Sequence, residues 1–229
     1  MDTERIKKRW RQFATEGVVI VISILLAFAI DAMWDTFRLR QEENAVLQAV
    51  QSDLSANRES IAEYVHIQST MLDGVESFLD SSSLELRGLE PDSARAVVRQ
   101  LFLFRTYSPI QAAMSSSELS LIRSVEVKKG IAEWMSVIED VNEEILNVHY
   151  VRNRLEGQAD PRILRAYYDL LSSDSTKIGF IPTLLADISE DPDMTGVLIQ
   201  KQLVVRVNRM KLMRLAEITD ELLSLLKKN

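Results

Sequence analysis

Six residues near the N-terminus have the types and spacing to recognise another helix. The members of this docking stripe are Glu16, Ile20, Ser23, Ala27, Asp31 and Trp34. Their spacings of 4, 3, 4, 4 and 3 residues place all six on one face of an α-helix. Ser23 and Ala27 form a small-xxx-small pair, which allows a second helix to approach closely. The docking stripe therefore predicts a helix–helix contact.

Asp31 is the strongest candidate for a functional role in the stripe, because acids within membrane-spanning segments are rare and usually functional. In the docking interpretation, its carboxylate bonds to a polar group of a partner helix. In the alternative, it only extends to the polar headgroups. Proton conduction is a third hypothesis, but Asp31 lies at the outer end of the apolar run and would require a channel-forming partner. Asp35 and Arg38 continue the stripe at a spacing that favours pairing.

The element that positions the stripe is an apolar run over residues 18–30, in which Ser23 is the only polar residue. With its flanks it gives an apolar helix of about 20 residues, enough to cross a hydrocarbon core of about 30 Å. Its Val, Ile, Leu and Phe residues favour insertion by roughly 3 to 6 kcal/mol. We predict a transmembrane helix over residues 14–35 that acts as an uncleaved signal anchor.

Two alternatives to a signal anchor exist. A buried core helix of a soluble protein can contain an apolar run of this length. A signal peptide could be cleaved after Ala27-Phe28-Ala29, with the basic residues before the run as its n-region. No polar region precedes that cleavage site, and Glu16 stands two residues before the apolar run, so the sequence favours retention.

The charges on both sides of the run predict its orientation. Five basic residues precede it, whereas only Arg38 and Arg40 follow it closely. The positive-inside rule then places residues 1–13 in the cytoplasm as a basic tail. Residues 36–229 would form an extracytoplasmic domain, which is periplasmic in a Gram-negative bacterium. The predicted location is the bacterial inner (cytoplasmic) membrane.

Net charge and cysteine content exclude several classes of function. The chain carries a formal charge of −7; residues 1–16 contribute +2, which leaves −9 for the remainder. An acidic exterior domain argues against nucleic acid as a partner and against docking on anionic lipid. The chain has no cysteine, which excludes disulfides, thiol catalysis and cysteine-ligated metals.

Helical periodicity predicts an all-α fold. The anchor has no stop signal before Gly74, so it should continue as a long juxtamembrane helix that packs in an extracytoplasmic helical bundle. Residues of this segment repeat at 3 and 4 positions like a coiled coil. The members of this α1 seam are Leu47, Val50, Leu54, Asn57, Ile61, Tyr64, Gln68, Met71, Val75 and Phe78. The seam must be covered by the same chain, by a second copy, or by both.

Asn57 and Gln68 interrupt the seam with polar side chains. A polar residue there either fixes the register of a coiled coil or forms a solvated gap in a bundle. Further helices are predicted over residues 94–104, 110–114, 125–155, 162–171, 182–188 and 197–226, with a loop over 172–179.

Two passages resemble a group of bacterial single-pass membrane proteins that have a helical periplasmic domain and no known activity. In the first, Glu16 leads the apolar run and Asp31-Ala-Met-Trp34 closes it, as an acid and an Asp or Asn followed by Trp do in that group. The second is Ser116-Ser-Glu-Leu-Ser-Leu-Ile-Arg123 with Val127-Lys-Lys-Gly-Ile131, although Glu118 stands where a Gly or Asn is usual. The resemblance implies topology and a helical exterior domain, and transfers no catalytic residue.

The sequence predicts no catalytic, cofactor-binding or metal site. It contains none of the common nucleophile, zinc-protease, phosphate-loop or dinucleotide patterns, and His66 and His149 lie on separate segments. We expect a non-enzymatic scaffold or accessory subunit that contacts the lipid bilayer and either another membrane protein or a second copy. A periplasmic ligand-sensing domain and an enzyme with a site outside known motifs are the alternatives.

Overall fold

The computed structural model describes residues 3–107, 116–171 and 180–228, with side chains given for 19–107, 118–169 and 180–228. Helices fill most of these residues, and the described ranges contain no strand, which confirms the all-α class. In chain order the helices are α1 (Thr3–Asp80), α2 (Ser83–Arg87), α3 (Pro91–Phe102), α4 (Ser116–Leu121), α5 (Val125–Gln158), α6 (Pro161–Leu171), α7 (Ile181–Glu190) and α8 (Pro192–Leu226). The helix predicted over 110–114 and the loop over 172–179 lie outside the described residues.

Side-chain caps explain where the sequence-based boundaries were wrong. Asp191 caps α8 by accepting the backbone N–H groups of Asp193 and Met194, with Pro192 in the first turn. The helix therefore begins at Pro192, five residues before the predicted start. The short helix α2 was not predicted, and it is fixed by a capping box between Ser82 and Glu85.

The described residues divide into two compact units. One contains residues 3–49 and 116–123, and the other contains residues 50–107, 124–171 and 180–228. Helix α1 contributes to both. The division predicted from the sequence, with an anchor over 14–35 and an exterior domain over 36–229, stays a prediction.

In the first unit, one helix near the N-terminus is long and apolar enough that it could span a membrane. None of the residues in its most apolar window is buried by the chain. Leu25, Phe28 and Met33 are all more than half exposed. The alternative of a buried core helix is therefore wrong, because such a helix would be covered by the chain's own fold.

In the second unit, α8 runs antiparallel to both α5 and the second part of α1. Trp134 of α5 donates its indole N–H to the Thr219 hydroxyl over 3.2 Å, and Arg154 reaches Gln200 at the other end of the pair. Arg58 of α1 lies 2.6 Å from Asp220. Glu76, eighteen residues later in α1, accepts hydrogen bonds from Gln202 and Arg206. The α1 and α5 segments consequently run parallel to each other.

The α1 seam is covered within one chain. Val50, Leu54, Ile61, Met71 and Val75 are each at most 1% exposed. Full burial of such a side chain favours folding by about 1.5 to 3 kcal/mol. The same chain therefore supplies the helices that the 3-4 alternation requires, without a second copy.

The expectation of a solvated gap in the seam is wrong, because its polar residues are buried and hydrogen-bonded. Asn57 is 0% exposed and accepts the Tyr107 hydroxyl over 2.5 Å. Burial, together with the neighbouring Tyr64, raises the pKa of Tyr107 to about 12, so this hydroxyl keeps its proton at neutral pH. Gln68 donates its amide N–H to the carbonyl oxygen of Arg105 over 2.8 Å. Both bonds fix the segment after α3 against α1.

Lys201 holds the C-terminal end of α3. Its side chain is fully buried, and its ammonium donates to the carbonyls of Gln100, Leu101 and Leu103 over 2.8, 2.5 and 3.0 Å. The last carbonyls of a helix lack intrahelical partners and carry the negative end of its dipole. Burial lowers the pKa of Lys201 well below its usual range, while these three acceptors favour the charged form.

The remaining helices complete the core around α3. Leu101, Ile163, Leu185 and Leu198 come from α3, α6, α7 and α8, and each is 0% exposed. A Cβ atom at Gly74 would lie 2.5 Å from the side chain of Gln100, so the glycine allows α3 to approach α1 closely.

Tyr107→Phe should lower the free energy of unfolding by about 1 to 3 kcal/mol, because it removes a buried hydroxyl donor from Asn57. Asn57→Leu should cost a similar amount. The double variant should cost less than the sum of the two single variants, because it leaves no buried polar group without its partner. Urea unfolding of the full chain in detergent micelles measures these values, with Tyr64→Phe as the control. Strictly additive costs would show that the pair is not coupled.

Lys201→Met should also lower the free energy of unfolding by about 1 to 3 kcal/mol near pH 7, because three carbonyls lose their donor. Folding lowers the pKa of Lys201, so the unfolded chain, with a lysine pKa of about 10.4, binds the proton more tightly. The resulting penalty is complete below the folded-state pKa and disappears as the pH rises past about 10.4. The advantage of the wild type over Lys201→Met should therefore grow between about pH 7 and pH 10. The free energy of unfolding of both proteins is measured across this pH range. A difference between them that shrinks as the pH rises would contradict this prediction.

Candidate functional site

The structure places the docking stripe on one exposed face of α1, as its spacing requires. Ile20, Ser23, Ala27, Asp31 and Trp34 are all exposed in the first unit. Glu16 lies within α1, but its side chain is outside the described residues. Because α1 is one unbroken helix, the stripe needs no tertiary contact to keep its geometry.

A shallow hollow interrupts the surface of α1 beside the C-terminal half of the stripe. Ala27 has no side chain beyond Cβ, so the surface is low between the larger Phe28 and Trp34. Asp31 adds a carboxylate to otherwise apolar surroundings. The residues that line the hollow are Ile24, Ala27, Phe28, Ile30, Asp31 and Trp34. A side chain of a second helix would fit here, as ridges of one helix pack into grooves of another.

The polar residues in and just after the apolar run satisfy part of their hydrogen-bonding capacity within α1. The Ser23 hydroxyl donates to the Val19 carbonyl over 2.8 Å, so its lone pairs remain for a donor from a partner. Arg38 lies 3.0 Å from Glu42. The i,i+4 pair with Glu42 therefore forms, and the pairing of Arg38 with Asp35 that the sequence suggested is wrong.

A contact that the sequence did not predict fastens the segment directly after α4 to α1 in the first unit. Glu43 accepts the backbone N–H of Arg123 over 2.6 Å, and its second oxygen lies 3.5 Å from the Arg123 guanidinium. Next to it, Ile122 is only 1% exposed. The apolar residues before Arg123 were a signal that this passage packs on something. The acid that receives it lies 80 positions earlier, and local periodicity cannot connect the two.

The structure divides the second of the two resembling passages, because residues 116–123 belong to the first unit and residues 127–131 belong to the second. The apolar run and Ser116–Leu121 (α4) both belong to the first unit, and the Glu43–Arg123 contact links α4 to the helix that contains the run. The first unit therefore combines the apolar part of α1 with an attached short helix.

Comparison with known proteins gives no further guide to this site. No protein-family model matches the chain, and neither the curated proteins nor the solved structures contain a significant match.

Glu43→Ala should release α4 from α1, because it removes the carboxylate that holds the Arg123 N–H. Loss of a charge-assisted hydrogen bond worth about 1.5 kcal/mol should make hydrogen exchange of the Arg123 amide roughly tenfold faster. Hydrogen–deuterium exchange of the full chain in micelles measures the effect. Glu43→Gln keeps one oxygen acceptor and should give an intermediate value, whereas Glu59→Ala, at an exposed acid of the second unit, should change nothing at Arg123. Equal protection of that amide in all variants would contradict the contact.

Proposed function

We propose that this chain is a non-enzymatic bitopic protein of the bacterial inner membrane, which acts as a scaffold or accessory subunit of a membrane assembly. The supporting observation is the exposed apolar face of α1, which the chain itself leaves uncovered and which contains a hollow beside Asp31. A bilayer covers the apolar residues of such a face. Its hydrocarbon core does not provide a donor for the carboxylate.

The energetics of Asp31 favour a protein partner in the membrane. A charged side chain costs about 2.5 to 3.5 kcal/mol at the centre of a span and less near its end. The apolar residues compensate for this cost during insertion, so the anchor is stable alone. A hydrogen-bond donor on a partner helix would remove the remaining penalty and add binding free energy. Extension of the carboxylate to the headgroups is the competing explanation.

The proposed orientation has residues 1–13 in the cytoplasm and residues 36–229 in the periplasm. Its support is the excess of basic residues before the apolar run. In this arrangement the anchor is an uncleaved signal anchor, and the helices of the second unit extend into the periplasm.

The interior of the second unit supports a structural role better than catalysis or ligand sensing. Its buried polar side chains serve contacts between segments: Asn57 binds Tyr107, Lys201 binds the end of α3, and Trp134 binds Thr219. Polar groups used in this way fix the packing of helices, which is what a rigid accessory domain requires.

Ala27→Leu and Asp31→Ala should each reduce the recovery of co-purifying membrane protein, since one fills the hollow and the other removes the acceptor. A loss of about 1.4 kcal/mol would lower the affinity roughly tenfold. Mild-detergent affinity purification of the full chain, followed by mass determination of the recovered assembly, measures the effect.

Ala29→Leu is the matched control for this experiment. It adds the same volume about 200° around the helix from Ala27, on the face away from the docking stripe. Recovery should remain at the wild-type level in this variant. An assembly that is unchanged by Ala27→Leu and Asp31→Ala would disprove the docking face.

A further inference from the structure

The hollow on α1 contains one charged group that this chain leaves unpaired. Ala27 and Phe28 lie 4 and 3 positions before Asp31, so they share its face of the helix. Trp34, 3 positions after Asp31, shares that face as well. Among the residues that the structure describes, none donates a hydrogen bond to the Asp31 carboxylate or lies within ion-pair distance of it. The other side chains that line the hollow are apolar, so Asp31 is the single charge there.

The cations of this chain are not placed to pair with Asp31. Residues 12–37 contain no Lys, Arg or His. The first cation after the hollow is Arg38, about two turns further along α1. Its guanidinium already lies 3.0 Å from the carboxylate of Glu42. A counter-ion for Asp31 must therefore come from another molecule.

A second copy of this chain does not supply that counter-ion. Two copies with the same orientation in one bilayer would meet symmetrically, so Asp31 of one copy would face Asp31 of the other. The small residues Ser23 and Ala27 would bring the two backbones close together just before this point. Like charges in a contact of low dielectric constant repel far more strongly than in water. The charge of the hollow therefore favours a different protein over self-association.

A cation fits this hollow better than a neutral donor. A hydroxyl or amide group would satisfy one oxygen of Asp31 but leave its negative charge among apolar side chains, which is costly. A lysine ammonium or an arginine guanidinium would form a charge-assisted hydrogen bond and neutralise the carboxylate as well. Acids and bases within membrane spans commonly pair with each other for this reason.

We propose that the hollow binds a transmembrane helix of a different protein, which carries a lysine or arginine at the depth of Asp31. The pairing rests on the proposed function, because it uses the same face of α1 in the same membrane span. Close approach of the two helices at Ala27 would hold the cation beside the carboxylate and shield both charges from lipid. Each copy of the chain has one hollow and would bind one such helix.

Charge exchange tests the pairing with a defined probe. The full chain is co-expressed with a tagged single-span helix of Leu and Ala that carries one Lys, Met or Asp at the depth of Asp31. Purification in mild detergent should recover the Lys helix about tenfold better than the Met helix. Asp31→Lys should reverse this preference, with recovery of the Asp helix and loss of the Lys helix. Ala27→Leu, which fills the hollow, should lower recovery of the Lys helix to the level of the Met helix.

Two control variants separate charge from hydrogen bonding and from position. Asp31→Asn keeps an oxygen acceptor without the charge, so it should recover the Lys helix no better than the Met helix. Asp35→Asn removes a carboxylate about one turn beyond the hollow and should leave recovery of the Lys helix at the wild-type level. Equal recovery of the Lys helix by the wild type and Asp31→Asn would overturn the cationic pairing, in favour of a neutral hydrogen bond or of headgroup contact.

The membrane protein that co-purifies with the wild-type chain distinguishes this pairing from the proposed function. The pairing is supported if that protein has a Lys or Arg at the depth of Asp31, and if Asp31→Lys restores binding after this cation is replaced by Asp. A partner that lacks such a cation, yet is lost with Ala27→Leu, would overturn the pairing and leave the scaffold role intact. Recovery of differently tagged copies of this chain through Asp31 would replace the pairing with self-association. An assembly insensitive to both Ala27→Leu and Asp31→Ala would overturn the docking face itself.

Discussion

The structure depends on a single helix that meets two opposite requirements for burial. In the first unit, α1 exposes apolar residues that the chain itself leaves uncovered. In the second unit, the same helix exposes polar residues and buries its seam almost completely. Backbone hydrogen bonding is internal to a helix, so one continuous element is suited to both lipid and a protein core. The rest of the chain supplies what the second requirement needs.

Polar groups inside the second unit determine which helices pack where. Apolar contacts alone tolerate small shifts along a helix, whereas a buried amide or ammonium needs its partner at one position. Asn57, Gln68 and Lys201 all act on the few residues from Gln100 to Tyr107. Residues of α1 and α8 thereby hold the same short stretch from two sides, and that stretch fixes the position of α3.

Local patterns were sufficient to predict the long helices and the seam, but not the short helix α2 or the partners of the buried polar residues. The 3-4 repeat identified nearly every buried residue of α1, because burial on one face imposes that spacing on any amphipathic helix. It could not show that Asn57 binds Tyr107, since the two lie 50 positions apart. Glu43 and Arg123 were beyond the reach of periodicity for the same reason. The stripe around Asp31 could be predicted from the sequence because all its members lie on one helix.

Asp191 has a consequence for how this chain can change in length. It ends α7 and also caps α8, so no spare residue separates the two helices. Inserting one residue between this cap and Lys201 would rotate the preceding turns by about 100° relative to the rest of α8. Either Asp191 would no longer cap α8, or Lys201 would no longer reach the end of α3. Evolutionary insertions and deletions in this protein should therefore avoid the first three turns of α8. They should accumulate in segments whose ends are not held by a cap or a buried polar contact.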